Sequence, residues 1–424
     1  MMQPWFPDAK LGIFIHYGIY AVEGIPESWS LFSGQVTQEV YWSQCKGFTA
    51  NKYNPEQWAD LFVAAGAKYS VLTTKHHDGV ALWHSPTAVR NTVNDTAAGK
   101  DLLTPWAQAI RERGLKVGFY FSHLDWSHPD YPTILPKNSH YTNFDNRYAF
   151  PESGNENPER WQKFLAFHRA QLDELCTQFG EIDLLWFDGD WERDPEQWDF
   201  KELRDRLSSH QPNVIFNSRM LGYGDYSTPE QGQPVIPPEG HWEFCMTIND
   251  SWGFQKNDFN EKSVKRLIRI FAETISAGGN LLLDVGPTAE GEITPAQTER
   301  LLGLGRWVHK HAEAIYGTVA GLPGGLFYGP TTLSKDKQTL YAMSLDIPRE
   351  SVIVRGLSNK VKRVSVVGTN QELAFKKVTM AEWMGVPSDL EIVIPDDFAP
   401  DQDCTVFKIE LQQPLSLQLT HGRS

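Results

Sequence analysis

The stretch "PERWQKFLAFHRAQLDELCTQFGEIDLLWFDG", residues 158–189, decides how the chain folds. Its first part, 158–180, reads as one long helix, and "IDLLWFDG" (182–189) as a short apolar strand that ends in an acid and a glycine. The same alternation runs outward on both sides. Toward the N-terminus come strands at "LGIFIHYGIY" (11–20), "YSVLTTKH" (69–76) and "LKVGFYFS" (115–122). Between them lie helices at 54–67 and 102–114. In the first, Asn54 can cap, Pro55 takes the opening position and Trp58, Leu61, Phe62 and Ala65 recur at helical spacing; Gly114 closes the second. Toward the C-terminus follow a helix at 200–210 and strands at 213–218, 241–248 and 280–286, the last preceded by a helix at 263–279 and followed by one at 294–317.

About seven strands, nearly all followed by a helix or a long loop, imply a parallel sheet covered by helices. The fold class expected is α/β, a (β/α)8-like barrel. No eighth strand is evident, so the barrel is expected to be irregular. The stretch 127–157, rich in Pro, Asn, His and Tyr, is too long for an ordinary barrel loop and is expected to shape the leaving-group side of a site. After "GLPGG" (321–325) the texture changes to alternating segments such as "QTLYAMSL", "SVIVRGL" and "LEIVIP", which read as an antiparallel β-sandwich. The expected division is a catalytic barrel over 1–320 and a sandwich over 321–424.

Composition narrows the function. A net charge of −14 over 424 residues argues against nucleic acid or an anionic membrane as partner, because both need basic surface. No run reaches about 18 uninterrupted apolar residues, so no membrane span is expected. Cys45, Cys176, Cys245 and Cys404 lie far apart with no CxxC spacing, which suits isolated core thiols in a reducing compartment. The N-terminus has no basic region followed by a long apolar one, so the expected location is cytoplasmic; a chain whose leader has been removed, periplasmic or secreted, would read the same way.

In a barrel the site lies where strands run into loops at the C-terminal face. His16 ends the first strand, His76 and His77 the second, His123, Asp125 and Trp126 follow the third, Asp188 ends the fourth, Asn217 and Arg219 the fifth, and Glu243 lies in the sixth. Strand parity puts Trp186 and Asp188 on one face and Leu185 and Phe187 on the other; likewise Glu243 points opposite to Trp242 and Phe244, into the barrel. A carboxylate beside an indole suits a sugar, whose C–H face stacks while its hydroxyls take the charge. Read structurally, Asp188 caps the turn through Gly189 or pairs with Arg219; Glu243 tips the balance to catalysis. Of the adjacent His76 and His77, one could be a satisfied core histidine. No His-x-His spacing marks a metal site, and neutral hydroxyls are the better ligands for these imidazoles. "GDW" (189–191), "LDW" (124–126) and His128 are weak signals, and Asp190 reads as a solvated loop acid.

These residues carry a likeness. "WFPDAKLGIFIHYGIY", "GAKYSVLTTKHHDGVALW", "GLKVGFYFSHLDW", "LLWFDG", "WEFCMTINDSWGF" and "SAGGNLLLDVGPTAEGEI" together resemble the α-L-fucosidases of glycoside hydrolase family 29, in order from residue 5 to about 317. The resemblance implies a retaining exo-hydrolase on a barrel with a C-terminal sandwich, acting on fucosylated oligosaccharides or glycoconjugates and needing no metal or other cofactor. It makes Asp188 the nucleophile and His16, His76, His77 and Trp186 fucose ligands. The family's Glu-Trp pair corresponds to Glu27 and Trp29, here separated by Ser28, and the resemblance makes both further substrate-binding residues. For the acid/base, Glu243 is the choice and Asp258 the reserve. L-Fucose carries a methyl group at C5, for which Trp252 and Phe254 are expected to form an apolar wall. Two other readings stay open: a catalytically idle fucose-binding protein, and a metal-dependent hydrolase on the same barrel. Linkage, aglycone and self-association as a homo-oligomer are not legible.

Overall fold

The computed structural model describes residues 2–131, 157–369, 371–379 and 388–419. Most of the long loop expected over 127–157 therefore lies outside the described residues. Seven strands build the first sheet: β1 (Leu11–Ile15), β2 (Tyr69–Lys75), β3 (Lys116–Ser122), β4 (Leu184–Asp188), β5 (Ile215–Phe216), β6 (Glu243–Thr247) and β7 (Asn280–Val285). Helices α1 (Pro55–Ala64), α2 (Leu103–Glu112), α3 (Pro158–Gln178), α4 (Phe200–His210), α5 (Val264–Ser276) and α6 (Pro295–Lys310) alternate with them. The sheet order is β5-β4-β3-β2-β1-β7-β6, and every pairing is parallel.

Local chemistry sets the helix ends. The Asn157 side chain accepts from the N–H groups of Glu159 and Arg160, and Pro158 starts α3 where its missing N–H costs nothing. Asn54 and Pro55 open α1 in the same way. Several elements are shorter than the sequence suggests, among them β5, which keeps only Ile215–Phe216 of the strand expected over 213–218. β1 ends at Ile15, ahead of a 3-10 turn at Ile19–Ala21, and the final helix ends at Lys310.

An extended segment, 225–231, supplies the eighth position in the barrel. Asp225 N–H donates to Phe216 O (2.7 Å) on the β5 side; on the β6 side Glu243 N–H donates to Ser227 O (2.9 Å) and Cys245 N–H to Pro229 O (3.1 Å). Parallel bridges join Asn217 to Tyr226 and Glu230 to Cys245. Pro229 has no N–H to donate, which keeps this segment from becoming a regular strand and from reading as one.

Alternate side chains fill the barrel: Phe14, Val71, Tyr120, Leu184, Trp186, Ile215, Cys245 and Leu282 form an inner cluster, while Leu185, Phe187 and Phe244 join the larger shell against the helices. Gly12 makes room low in this interior, since a Cβ there would come within 2.4 Å of the Tyr69 ring.

Strands β8 (Thr318–Ala320), β9 (Thr331–Ser334), β10 (Thr339–Ser344), β11 (Ser351–Val354), β12 (Val361–Val366), β13 (Phe375–Val378), β14 (Asp389–Val393) and β15 (Thr405–Leu411) form two antiparallel sheets. Their orders are β8-β9-β10-β15-β12 and β11-β14-β13. Leu340, Val352, Val364, Leu390, Ile392, Phe407 and Ile409 share one apolar core between them, which makes a sandwich.

Candidate active site

A pocket opens at the C-terminal ends of the barrel strands. Its walls are aromatic: Phe14 and Trp186 from the strands, Trp252 from the loop after β6, and Trp29 and Trp191 at the mouth. His16, His76, Asp188, Arg219 and Glu230 supply the polar atoms.

Asp188 ends β4, and Gly189 lets the chain turn away at once: its φ is 86°, and a Cβ would meet Leu124 at 2.5 Å. Three groups approach the Asp188 carboxylate. Tyr120 donates its hydroxyl to Oδ2 (2.9 Å), Arg219 donates from Nη1 to Oδ1 (2.6 Å), and His77 Nε2 stands 3.6 Å from Oδ2. Arg219 also donates from Nη2 to Glu230 Oε2. One guanidinium thus holds two carboxylates that face one cavity. Burial opposes the Arg219 charge, but Asp188 and Glu230 outweigh it and keep the group protonated well beyond neutral pH. Burial and the adjacent Asp188 also push the Tyr120 hydroxyl well above its ordinary value, so it remains a donor. The pairing of Asp188 with Arg219 and its place in the pocket coexist.

The imidazoles are buried and neutral. Burial lowers His16, His76 and His77 well below the usual histidine value, helped by His76 at His16, by His77 at His76 and by Lys75 and Arg219 at His77. Each is oriented through Nδ1: His16 by Asp284 Oδ1 (2.6 Å), His76 by Ser28 Oγ (2.5 Å) and His77 by Ser122 Oγ (2.6 Å). That leaves Nε2 of His16 and His76 for a ligand hydroxyl. Ser28, the residue that interrupts the Glu-Trp pair, is therefore what positions His76; it also accepts from Asp78 N–H (2.9 Å).

Glu243 stands apart from the pocket. Parity does turn it into the barrel, but it is the first residue of β6, whereas Asp188 is the last of β4. At about 3.3 Å per residue this leaves it some four residues, roughly 13 Å, below the C-terminal end of its own strand. It is fully buried, and both oxygens are taken, Oε1 by Trp186 Nε1 (2.9 Å) and Oε2 by the Tyr69 hydroxyl (2.5 Å). Asp258 is also outside the pocket, where it accepts from Asn249 Nδ2 (2.8 Å) and Asp250 N–H (3.0 Å). Glu27 lies buried behind the wall and accepts from Gly253 N–H, fixing the turn that carries Trp252. Phe254 packs on the main core, and Phe14 takes its expected place beside Trp252 (centroids 6.0 Å apart). Asp190 is buried, not solvated, and burial pushes its carboxyl up.

Sequence reasoning missed Tyr120 and Glu230, and read Trp191 only as part of the weak signal "GDW". Tyr120 was within reach, being two residues before Ser122 on the inward face and in register with Trp186. Glu230 had no signal, because its segment follows no strand pattern. Among the described residues no group of three or more His, Cys, Asp or Glu side chains is arranged to hold a metal ion.

Aromatic walls, neutral imidazoles and two carboxylates on the rim of a (β/α)8-like barrel define a glycoside hydrolase. The comparisons with known proteins name the kind. The α-L-fucosidase family model matches residues 1–313. Tissue α-L-fucosidase of Bos taurus is 31% identical over 409 residues, covering 88% of this chain and 82% of that protein. The solved structure of α-L-fucosidase isoenzyme 1 from Paenibacillus thiaminolyticus superposes with a TM-score of 0.86 at 32% identity, covering 96% of this chain and 98% of that one. A Bacteroides thetaiotaomicron α-L-fucosidase, solved as a trapped covalent intermediate, shares the fold with a TM-score of 0.83 at 24% identity, covering 96% and 95%. The chain belongs to the α-L-fucosidase family and is a glycoside hydrolase of that family.

Proposed function

We propose that the protein removes terminal α-L-fucose from glycans by double displacement, with Asp188 as nucleophile and Glu230 as acid/base. One observation carries the assignment: Asp188 and Glu230 line the same pocket and share Arg219. A retaining mechanism needs two carboxyl groups about 5 Å apart, one to bond to the anomeric carbon and one to protonate the departing oxygen. Asp188 attacks C1 as Glu230 donates its proton to the glycosidic oxygen. The glycosyl-enzyme ester is then cleaved by water that Glu230 deprotonates, regenerating both groups. Tyr120 and Arg219 aim the Asp188 carboxylate through their hydrogen bonds to it. His16 and His76 receive sugar hydroxyls, Trp186 stacks beneath the ring, and Phe14 with Trp252 faces the methyl group. The proposed division is a catalytic unit over residues 1–320 and a sandwich over 321–424, although β8 (Thr318–Ala320), on the catalytic side of that line, pairs with β9 of the sandwich.

Azide rescue tests the roles. Asp188→Ala loses several orders of magnitude in turnover of an aryl α-L-fucoside, because nothing replaces the nucleophile. Azide restores activity to Glu230→Ala, standing in for the water that the lost base would activate. Rescue of Glu243→Ala or Asp258→Ala, with none of Glu230→Ala, would return the role to one of those residues.

A further inference from the structure

The pocket as described holds one sugar; what that sugar is attached to must leave through the mouth. There the chain presents two indoles. Trp29 and Trp191 are 37% and 43% exposed, the most exposed tryptophans among the described residues. An indole left in water loses the stabilisation that burial would bring, so two of them side by side at a pocket mouth call for a ligand.

Trp191 is carried on a tight turn. It sits in the 3-10 turn Asp190–Glu192 that begins at Gly189, and both neighbours in that turn are buried. The ring lies nearly parallel to Trp29 (centroids 6.3 Å apart, 18° between planes) and edge-on to His77 (5.8 Å, 87°), the histidine beside the nucleophile. Trp29 is braced in turn by Phe32 and Trp126 (5.4 and 5.7 Å). Only two residues, Gly189 and Asp190, separate Trp191 from Asp188, so a sugar bonded to C1 of the fucose passes over the indole.

We propose that Trp191, backed by Trp29, is the platform for the sugar to which fucose is linked, and that it selects a neutral pyranose able to lay a C–H face on the indole. The net charge of −14 disfavours sulfated or sialylated neighbours. The inference rests on the fucosidase reading of the same pocket. It deepens that reading by giving leaving-group preference a place in the fold.

Fucosyl fluoride separates the two, since it fills the fucose site and leaves the platform empty. For Trp191→Ala, the ratio of kcat/KM on a fucosyl disaccharide to that on fucosyl fluoride falls about tenfold, equivalent to about 1.4 kcal/mol. Trp191→Tyr restores most of it, because a flat ring returns. A ratio unmoved by Trp191→Ala, or equally lost in Trp191→Tyr, overturns the platform. If Trp191→Ala fails to fold, Trp191→Leu, which keeps apolar bulk without a π face, gives the same comparison. Failure of the unsubstituted protein to hydrolyse fucosyl fluoride would instead refute the fucosidase reading itself.

Discussion

Glu243→Gln examines the reassignment of the buried acid through stability as well as turnover. Burial pushes the Glu243 carboxyl from 4.5 up to about 7, against the opposing hydrogen bonds from Tyr69 and Trp186. Between those pH values the folded protein keeps a proton that the unfolded chain has released. The native state therefore binds more protons, and stability falls as pH rises through this window. At 1.36 kcal/mol per pH unit over about 2.5 units, the loss is about 3 kcal/mol between pH 4.5 and 7. Glutamine fits the same site without titrating: its oxygen accepts from Trp186 Nε1 and its amide donates to the Tyr69 oxygen. Urea unfolding at a series of pH values, or unfolding rates where refolding fails, is the assay. Common titrations cancel in the difference between the two proteins. Glu243→Gln is expected to match the unsubstituted protein near pH 4.5 and to exceed it by about 3 kcal/mol above pH 7, while keeping turnover within about tenfold. Parallel pH curves would show that this carboxyl is not held neutral. A thousandfold loss of turnover would show that it reacts, and the depth argument would fall.

Tyr120→Phe removes one hydroxyl from the nucleophile. A hydrogen bond to a charged group contributes about 1.5–3 kcal/mol, so kcat on an aryl fucoside is expected to fall about 10- to 100-fold with the melting temperature little changed. An unaltered kcat would mean that Arg219 alone orients Asp188. Asp284→Asn keeps the volume behind His16 but exchanges an acceptor for an amide that can present a donor to Nδ1, disturbing the ring's protonation and aim. A drop of at least tenfold in kcat/KM is expected in a protein that still folds, together with an altered pH profile of KM. A loss confined to stability would leave Asp284 a purely structural partner of His16.

Much of the fold was legible because it rests on local rules. Helix caps such as Asn54–Pro55, the alternation in "IDLLWFDG" and the change of texture after residue 320 each act over a few residues, and each survives folding. The eighth strand was not legible. Segment 225–231 is extended only because β5 and β6 lie on either side of it, and Pro229 hides it from any pattern of propensities.

The site divides in the same way. By itself the sequence determined that His16, His76, Trp186 and Asp188 come together, since each lies at or near the end of a barrel strand and parity sets which way it faces. It also determined that Glu243 points inward. Only the tertiary structure decided how deep each inward residue sits, because depth depends on where neighbouring strands start and on the stagger between them. That stagger leaves Glu243 beneath Trp186 and brings Glu230 to the rim. A carboxyl with both oxygens paired on the barrel floor and one on Arg219 at the mouth are chemically different groups, and local sequence does not distinguish them.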